Sequence, residues 1–134
     1  MRPPDYAGGS IANLVAELEA RLGGGPPLPG LDAGRSALVP AADSYVLVLF
    51  DGLGDHQLTH PAAEALRAAR VAALDACFPS TTVVGLASLA TALAPAGHGL
   101  VSHFLHLGPP VGIVNALKWR DISGREVDVD TSRL

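Results

Sequence analysis

An unbroken apolar run, Tyr45-Val-Leu-Val-Leu-Phe50, ends on the carboxylate and glycine of Asp51-Gly52. Successive apolar side chains leave no face for water, so the run predicts a strand over Val46 to Phe50, buried on both sides as in a parallel sheet. Such a strand needs helical cover, and the flanking sequence carries helical patterns. Ser10 is placed to cap a helix whose Ile11, Leu14, Val15, Leu18 and Leu22 recur at 3.6-residue spacing. Gly23-Gly-Gly-Pro26-Pro27 stops it, and residues 24–43 read as a Gly/Pro-rich loop. Pro61 suits the first position of a second helix running to about Arg70, with Leu66 facing inward. A third is predicted from about Val83 to Leu93, packed through Val84, Ala87, Leu89 and Ala90. Val71 to Phe78 can return to the sheet as a short strand, and Val111 to Leu117 follows the Pro109-Pro110 break as another. The order of elements is α/β, a mostly parallel sheet flanked by helices.

With 134 residues, 49% of them hydrophobic and 16% charged, the chain has the make-up of one globular domain. A net charge of −4, with no aromatic residues interleaved among Lys and Arg, argues against a nucleic-acid-binding surface. Cys77 is the sole cysteine, which excludes an intrachain disulfide and fits a reducing compartment. Met1-Arg-Pro-Pro-Asp-Tyr6 lacks the apolar core of a signal peptide. The longest apolar stretch, Val83 to Pro95, is shorter than the roughly 20 residues a membrane span requires. A cytoplasmic protein with no membrane partner is expected.

Residues beyond the carboxyl end of a strand in an open α/β sheet are where working groups gather. Asp51 stands there, and a carboxylate at that point can ligate a divalent metal; Asp-Gly is equally common turn chemistry. Thr81 and Thr82 stand at the start of the third helix, where unpaired N–H groups and the helix dipole favour phosphate. A threonine hydroxyl becomes a nucleophile only with a metal or a base beside it, and otherwise serves as an ordinary N-cap. His56 and His60, and likewise His103 and His106, have spacings that bind metal on a helix, yet Pro61 and Gly108-Pro-Pro argue against helix at either pair. Cys77 reads as a small buried hydrophobe and Trp119 as packing. Asp51-Gly-Leu-Gly54 falls short of a dinucleotide-binding loop, because Gln57 stands where the third glycine belongs.

Taken together, Asp51-Gly, then Phe78-Pro-Ser-Thr-Thr82, then Ser88-Leu-Ala-Thr91-Ala-Leu-Ala-Pro95-Ala-Gly-His98-Gly99 resembles the nucleotide pyrophosphatase/phosphodiesterase (type I phosphodiesterase) branch of the alkaline phosphatase superfamily. The resemblance covers roughly residues 44–118. It implies the N-terminal part of an alkaline phosphatase-like fold: a helix and loop over 1–43, the motif-bearing region over 44–118 and a tail over 119–134. It further implies that Asp51 binds zinc and that Thr82, rather than Thr81, is the nucleophile and a metal ligand. A phospho-threonine intermediate, two divalent ions, and a phosphate ester or nucleotide substrate follow from the same resemblance. In it His98 takes a structural place, or one supporting the residues around the metals, rather than that of a primary ligand.

This chain departs from the family pattern at two positions. Gly85 stands where many relatives place an oxyanion-binding asparagine, and Ala92 replaces a glycine at what reads as a helix end. The remaining Asp and His ligands have no counterpart after residue 99, so the chain reads as truncated. A non-catalytic, anion-binding or self-associating domain is the alternative.

Overall fold

The computed structural model describes residues 2–128. Helix α1 spans Ile11–Arg21 and begins in a capping box. Ser10 Oγ accepts from the Asn13 N–H, and Asn13 Oδ1 accepts from the Ser10 N–H at 3.0 Å, so two groups otherwise orphaned at the helix start are paired. The helix stops at Leu22, with Gly23 following at φ 87° as the Gly-Pro run predicts.

The face α1 turns inward differs from the predicted stripe. Ala12, Asn13 and Ala16 are buried, whereas Leu14, Val15 and Leu18 are half-buried and Leu22 is exposed. Small side chains face inward because α1 packs on α4 (Thr82–Thr91), and the core there is Ala12, Cys77 and Val84, flanked by Tyr6, Ile11 and Leu28. Cys77 is the buried small hydrophobe its sequence context suggests.

Residues 24–43 are mostly loop, but they include a single turn, α2 (Ala33–Ser36), capped by Asp32. Polar contacts bind this loop to α1. Glu17 accepts from Ser36 Oγ at 2.6 Å, from the Leu31 N–H at 3.1 Å and from Arg21 at 2.7 Å. Arg21 also donates to the carbonyls of Ser36 and Val39. The Ser36 hydroxyl, with help from Arg21 and Leu31, holds the Glu17 carboxyl below its ordinary pKa despite its partial burial.

Val46 to Phe50 is not the predicted strand. The segment has no regular secondary structure and pairs with no strand among the described residues, and Val46, Val48 and Phe50 are 91%, 66% and 57% exposed. A strand exists only when a neighbour takes up its N–H and C=O groups, and no described segment pairs with this one. Val71 to Phe78 also remains largely irregular; its one sheet-like contact is a parallel bridge between Asp75 and Ser10. The predicted helix from Pro61 to Arg70 forms in two pieces, a 3₁₀ turn at Pro61–Ala63 and α3 at Glu64–Ala69, with Leu66 exposed rather than inward.

The sheet lies instead in the C-terminal third, and it is antiparallel. β1 (Phe104–His106) pairs with β2 (Ile113–Asn115), which pairs with β3 (Arg120–Asp121), in register Leu105 to Val114 and Val114 to Asp121. Gly108-Pro109-Pro110-Val111-Gly112 makes the connection between β1 and β2, with Gly112 at φ 75°. A short connection of this kind joins antiparallel neighbours, whereas a parallel pair needs a crossover of a dozen residues or more. Val114 is fully buried, and Trp119 is half-buried, consistent with packing. The sequence thus holds helices and strands, but the parallel sheet expected of it is replaced by a small antiparallel one. Of the predicted tail, residues 129–134 lie outside the described residues.

Candidate functional site

Asp51 and Thr82, far apart in sequence, meet in the structure. Thr82 Oγ1 donates to Asp51 Oδ2 at 3.0 Å. Asp51 opens the turn after the apolar segment, where Gly52 takes φ 75°, and it is exposed. Thr82 is the first residue of α4, and its side chain is half-buried. It arrives there through Cys77-Phe78-Pro79-Ser80-Thr81, a segment with a cis Phe78–Pro79 peptide.

Thr81 occupies the N-cap position in extended backbone conformation, yet its side chain makes no capping hydrogen bond. Neither threonine is therefore an ordinary capping residue: the Thr82 hydroxyl is directed to a carboxylate instead. The first turn of α4 also presents backbone N–H groups that lack intrahelical partners. Gly85 sits within that helix with open space around it, since a Cβ placed there would meet no atom within 4 Å. A side chain could therefore start from this position without displacing a neighbour at its first carbon.

The other histidines do not join this pair. Residues 55–59 form a 3₁₀ turn, and the His60 ring accepts the Ala62 N–H through Nδ1 at 3.1 Å, starting the turn that follows. His106 ends β1, with His103 just before the strand, so that pair is not helical either. Among the described residues no group of three His, Cys, Asp or Glu side chains is arranged to hold a metal ion. The donor set at the site is one carboxylate and one hydroxyl, both oxygen. It suits one side of a hard divalent cation and leaves most of the coordination shell unfilled.

One constellation escaped sequence reasoning. Ser88, on α4, is fully buried and lies 2.9 Å from His98 Nε2. His98 ends α5 (Pro95–His98), and its Nδ1 accepts the Leu100 N–H at 3.1 Å. Burial pushes the His98 pKa below its ordinary 6.5, slightly offset by its own backbone. Cys77 is buried beside α4, against Val84, and burial pushes its thiol pKa upward. A polar residue four positions beyond Val84, on a helix otherwise lined with small apolar residues, was the available signal.

Ala92, where relatives carry glycine, is not inside a helix end but beyond it. It caps α4 at φ 51°, ψ 31°, the left-handed conformation that glycine adopts most easily.

Comparison with protein families gives a match to type I phosphodiesterase / nucleotide pyrophosphatase over residues 45–115, more than half of the chain. Comparison with curated proteins and with solved structures gives no match. The matched interval begins at the segment that delivers Asp51, contains Thr82 and His98, and ends in β2. The chain therefore belongs to the type I phosphodiesterase / nucleotide pyrophosphatase family.

Proposed function

We propose that the chain contributes to metal-dependent hydrolysis of phosphodiesters or nucleotide pyrophosphates, with Thr82 as nucleophile and Asp51 as its partner and a metal ligand. The observation that carries this reading is the 3.0 Å hydrogen bond from Thr82 Oγ1 to Asp51 Oδ2, between two residues thirty-one apart in sequence. A hydroxyl bonded to a carboxylate has an acceptor ready for its proton. A divalent ion, zinc in this reading, held by Asp51 and Thr82 would lower the hydroxyl pKa and offset charge at phosphorus.

The chain's own steps are then simple. Thr82 Oγ bonds to phosphorus in line with the leaving oxygen, whose bond to phosphorus breaks. The phospho-threonine so formed lies at the N-terminus of α4, where free backbone N–H groups and the helix dipole favour its negative charge. Without an asparagine at Gly85, these N–H groups take the larger share of that stabilisation. Water then cleaves the Thr82–phosphorus bond and restores the hydroxyl.

Within the same proposal, residues 1–134 form part of an alkaline phosphatase-like domain, with the family's motif region over 44–118. The further ligands for a second ion are supplied from outside the described residues. A second reading is favoured by the exposure of Val46 to Phe50: a domain that binds anions at Thr82 and self-associates without turnover.

The discriminating experiment is hydrolysis of bis-p-nitrophenyl phosphate with added zinc, for the wild type and Thr82→Ala. Zinc-dependent release of nitrophenolate that disappears in Thr82→Ala is the expected result. Release that survives the substitution overturns the mechanism, and phosphate binding unaffected by chelator, with no release, selects the second reading.

A further inference from the structure

We infer that His98 is a positioning residue for Thr82, acting through the buried hydroxyl of Ser88. This rests on the reading of Thr82 as nucleophile. The argument begins with the length of α4. At ten residues it is too short to hold its shape alone, so tertiary contacts must fix where its first residue points.

Two of its side chains are fully buried, Val84 against Ala12 and Cys77, and Ser88 against His98. Ser88 lies about 9 Å along the helix axis from Thr82. Because the Leu100 N–H donates to His98 Nδ1, the neutral ring carries its proton on Nε2 and donates it to Ser88 Oγ. One turn earlier on α4, Val84 packs against Cys77. Cys77 begins the segment that leads into Thr82, and the next residue's N–H donates to the Tyr6 hydroxyl at 3.0 Å. The helix that begins at Thr82 is thereby joined to the imidazole, and the segment leading into Thr82 packs on the same helix through Cys77 and Val84. Buried polar groups so connected specify one arrangement, because any other leaves a donor or acceptor unpaired.

Protonation of His98 would place a second N–H at Nδ1, against the Leu100 N–H. The arrangement is thus intact when the ring is neutral and lost as pH falls through the folded-state pKa, which lies below 6.5. Neither α4 nor α5 carries a charged side chain besides His98. α1, packed on α4, carries Glu17, Glu19 and Arg21, of which Glu17 and Arg21 pair with each other. Cys77 and Tyr6, packed in the core with Val84 of α4, are the other titratable groups nearby, and burial raises the pKa of both.

The test is a pH titration of the full chain from 8 to 5, following the Thr82 methyl and the His98 ring by NMR. A step in the Thr82 signal with the same midpoint as His98 is expected. Ser88→Ala, close to isosteric, removes the Thr82 step while His98 still titrates. His98→Gln, which keeps a donor but cannot titrate, leaves the Thr82 signal near its neutral-pH position throughout. Asp51→Asn removes the carboxylate bonded to Thr82 and leaves the step in place. A Thr82 methyl that does not move in the wild type, or a step that persists in Ser88→Ala, overturns the inference. The two readings separate cleanly: a step without bis-p-nitrophenyl phosphate turnover sinks the enzymatic reading alone, and turnover without a step sinks this one alone.

Discussion

At the scale of single residues, Asp51 and Thr82 were legible because each stands at a local signal, a carboxylate ending an apolar run and a hydroxyl opening a helix. Their meeting at 3.0 Å is a tertiary fact that no local signal contains. Ser88 and His98 were less legible, since a buried polar residue is recognised by its partner and not by its neighbours. Ala92 shows how a family pattern can carry backbone chemistry. Its left-handed conformation costs an L-residue roughly 1–2 kcal/mol, while removing its buried methyl forfeits about 0.8 kcal/mol and adds unfolded-state freedom. Ala92→Gly is therefore expected to leave stability close to that of wild type, or to raise it, and to cost clearly less than a glycine placed inside the helix. Ala90→Gly, inside the same helix, should cost about 1 kcal/mol. Chemical denaturation of the two variants compares them directly, and an equal loss in both would show that Ala92 is not held at positive φ in solution.

At the scale of elements, α1 was predicted within a residue of its observed ends, because caps and stops are local chemistry. Its inward face was not, because the apolar stripe of Ile11, Leu14, Val15, Leu18 and Leu22 carries no sign of Asn13. It is instead fully buried: its Nδ2 donates to the carbonyls of Tyr6 and Pro29 at 2.8 and 2.9 Å, and its Oδ1 accepts the Ser10 N–H and hydroxyl. One amide thus satisfies the helix start, the N-terminal segment and the following loop together. Ser10→Ala removes one cap and should cost about 1 kcal/mol. Asn13→Ala leaves several buried groups unpaired, each worth about 1–3 kcal/mol, and should cost clearly more. If thermal unfolding ranks Ser10→Ala as the more damaging, the amide is not the central contact described.

At the scale of the whole molecule, the helices were legible and the sheet was not. A helix closes its hydrogen bonds within itself, so its pattern and its caps lie in one window of sequence. A strand closes them with a partner, and an apolar run announces only that a partner is wanted. The 46–50 segment therefore has the sequence of a buried strand and the surroundings of an exposed one. An uncharged, β-prone stretch of five apolar residues that pairs with no strand among the described residues is a template for pairing with other chains. Charge placed on it should suppress that pairing without touching the core of Ala12, Cys77 and Val84 or the contact between Asp51 and Thr82. Val46→Lys combined with Val48→Lys, at two exposed positions, is expected to shift the sedimentation profile toward monomer and to lower light scattering. Surface substitutions of this kind usually change stability by no more than about 0.5 kcal/mol. A loss of several kcal/mol would show that residues 46–50 are buried in solution, as their apolar sequence alone suggests, and would replace the exposed segment with a paired strand.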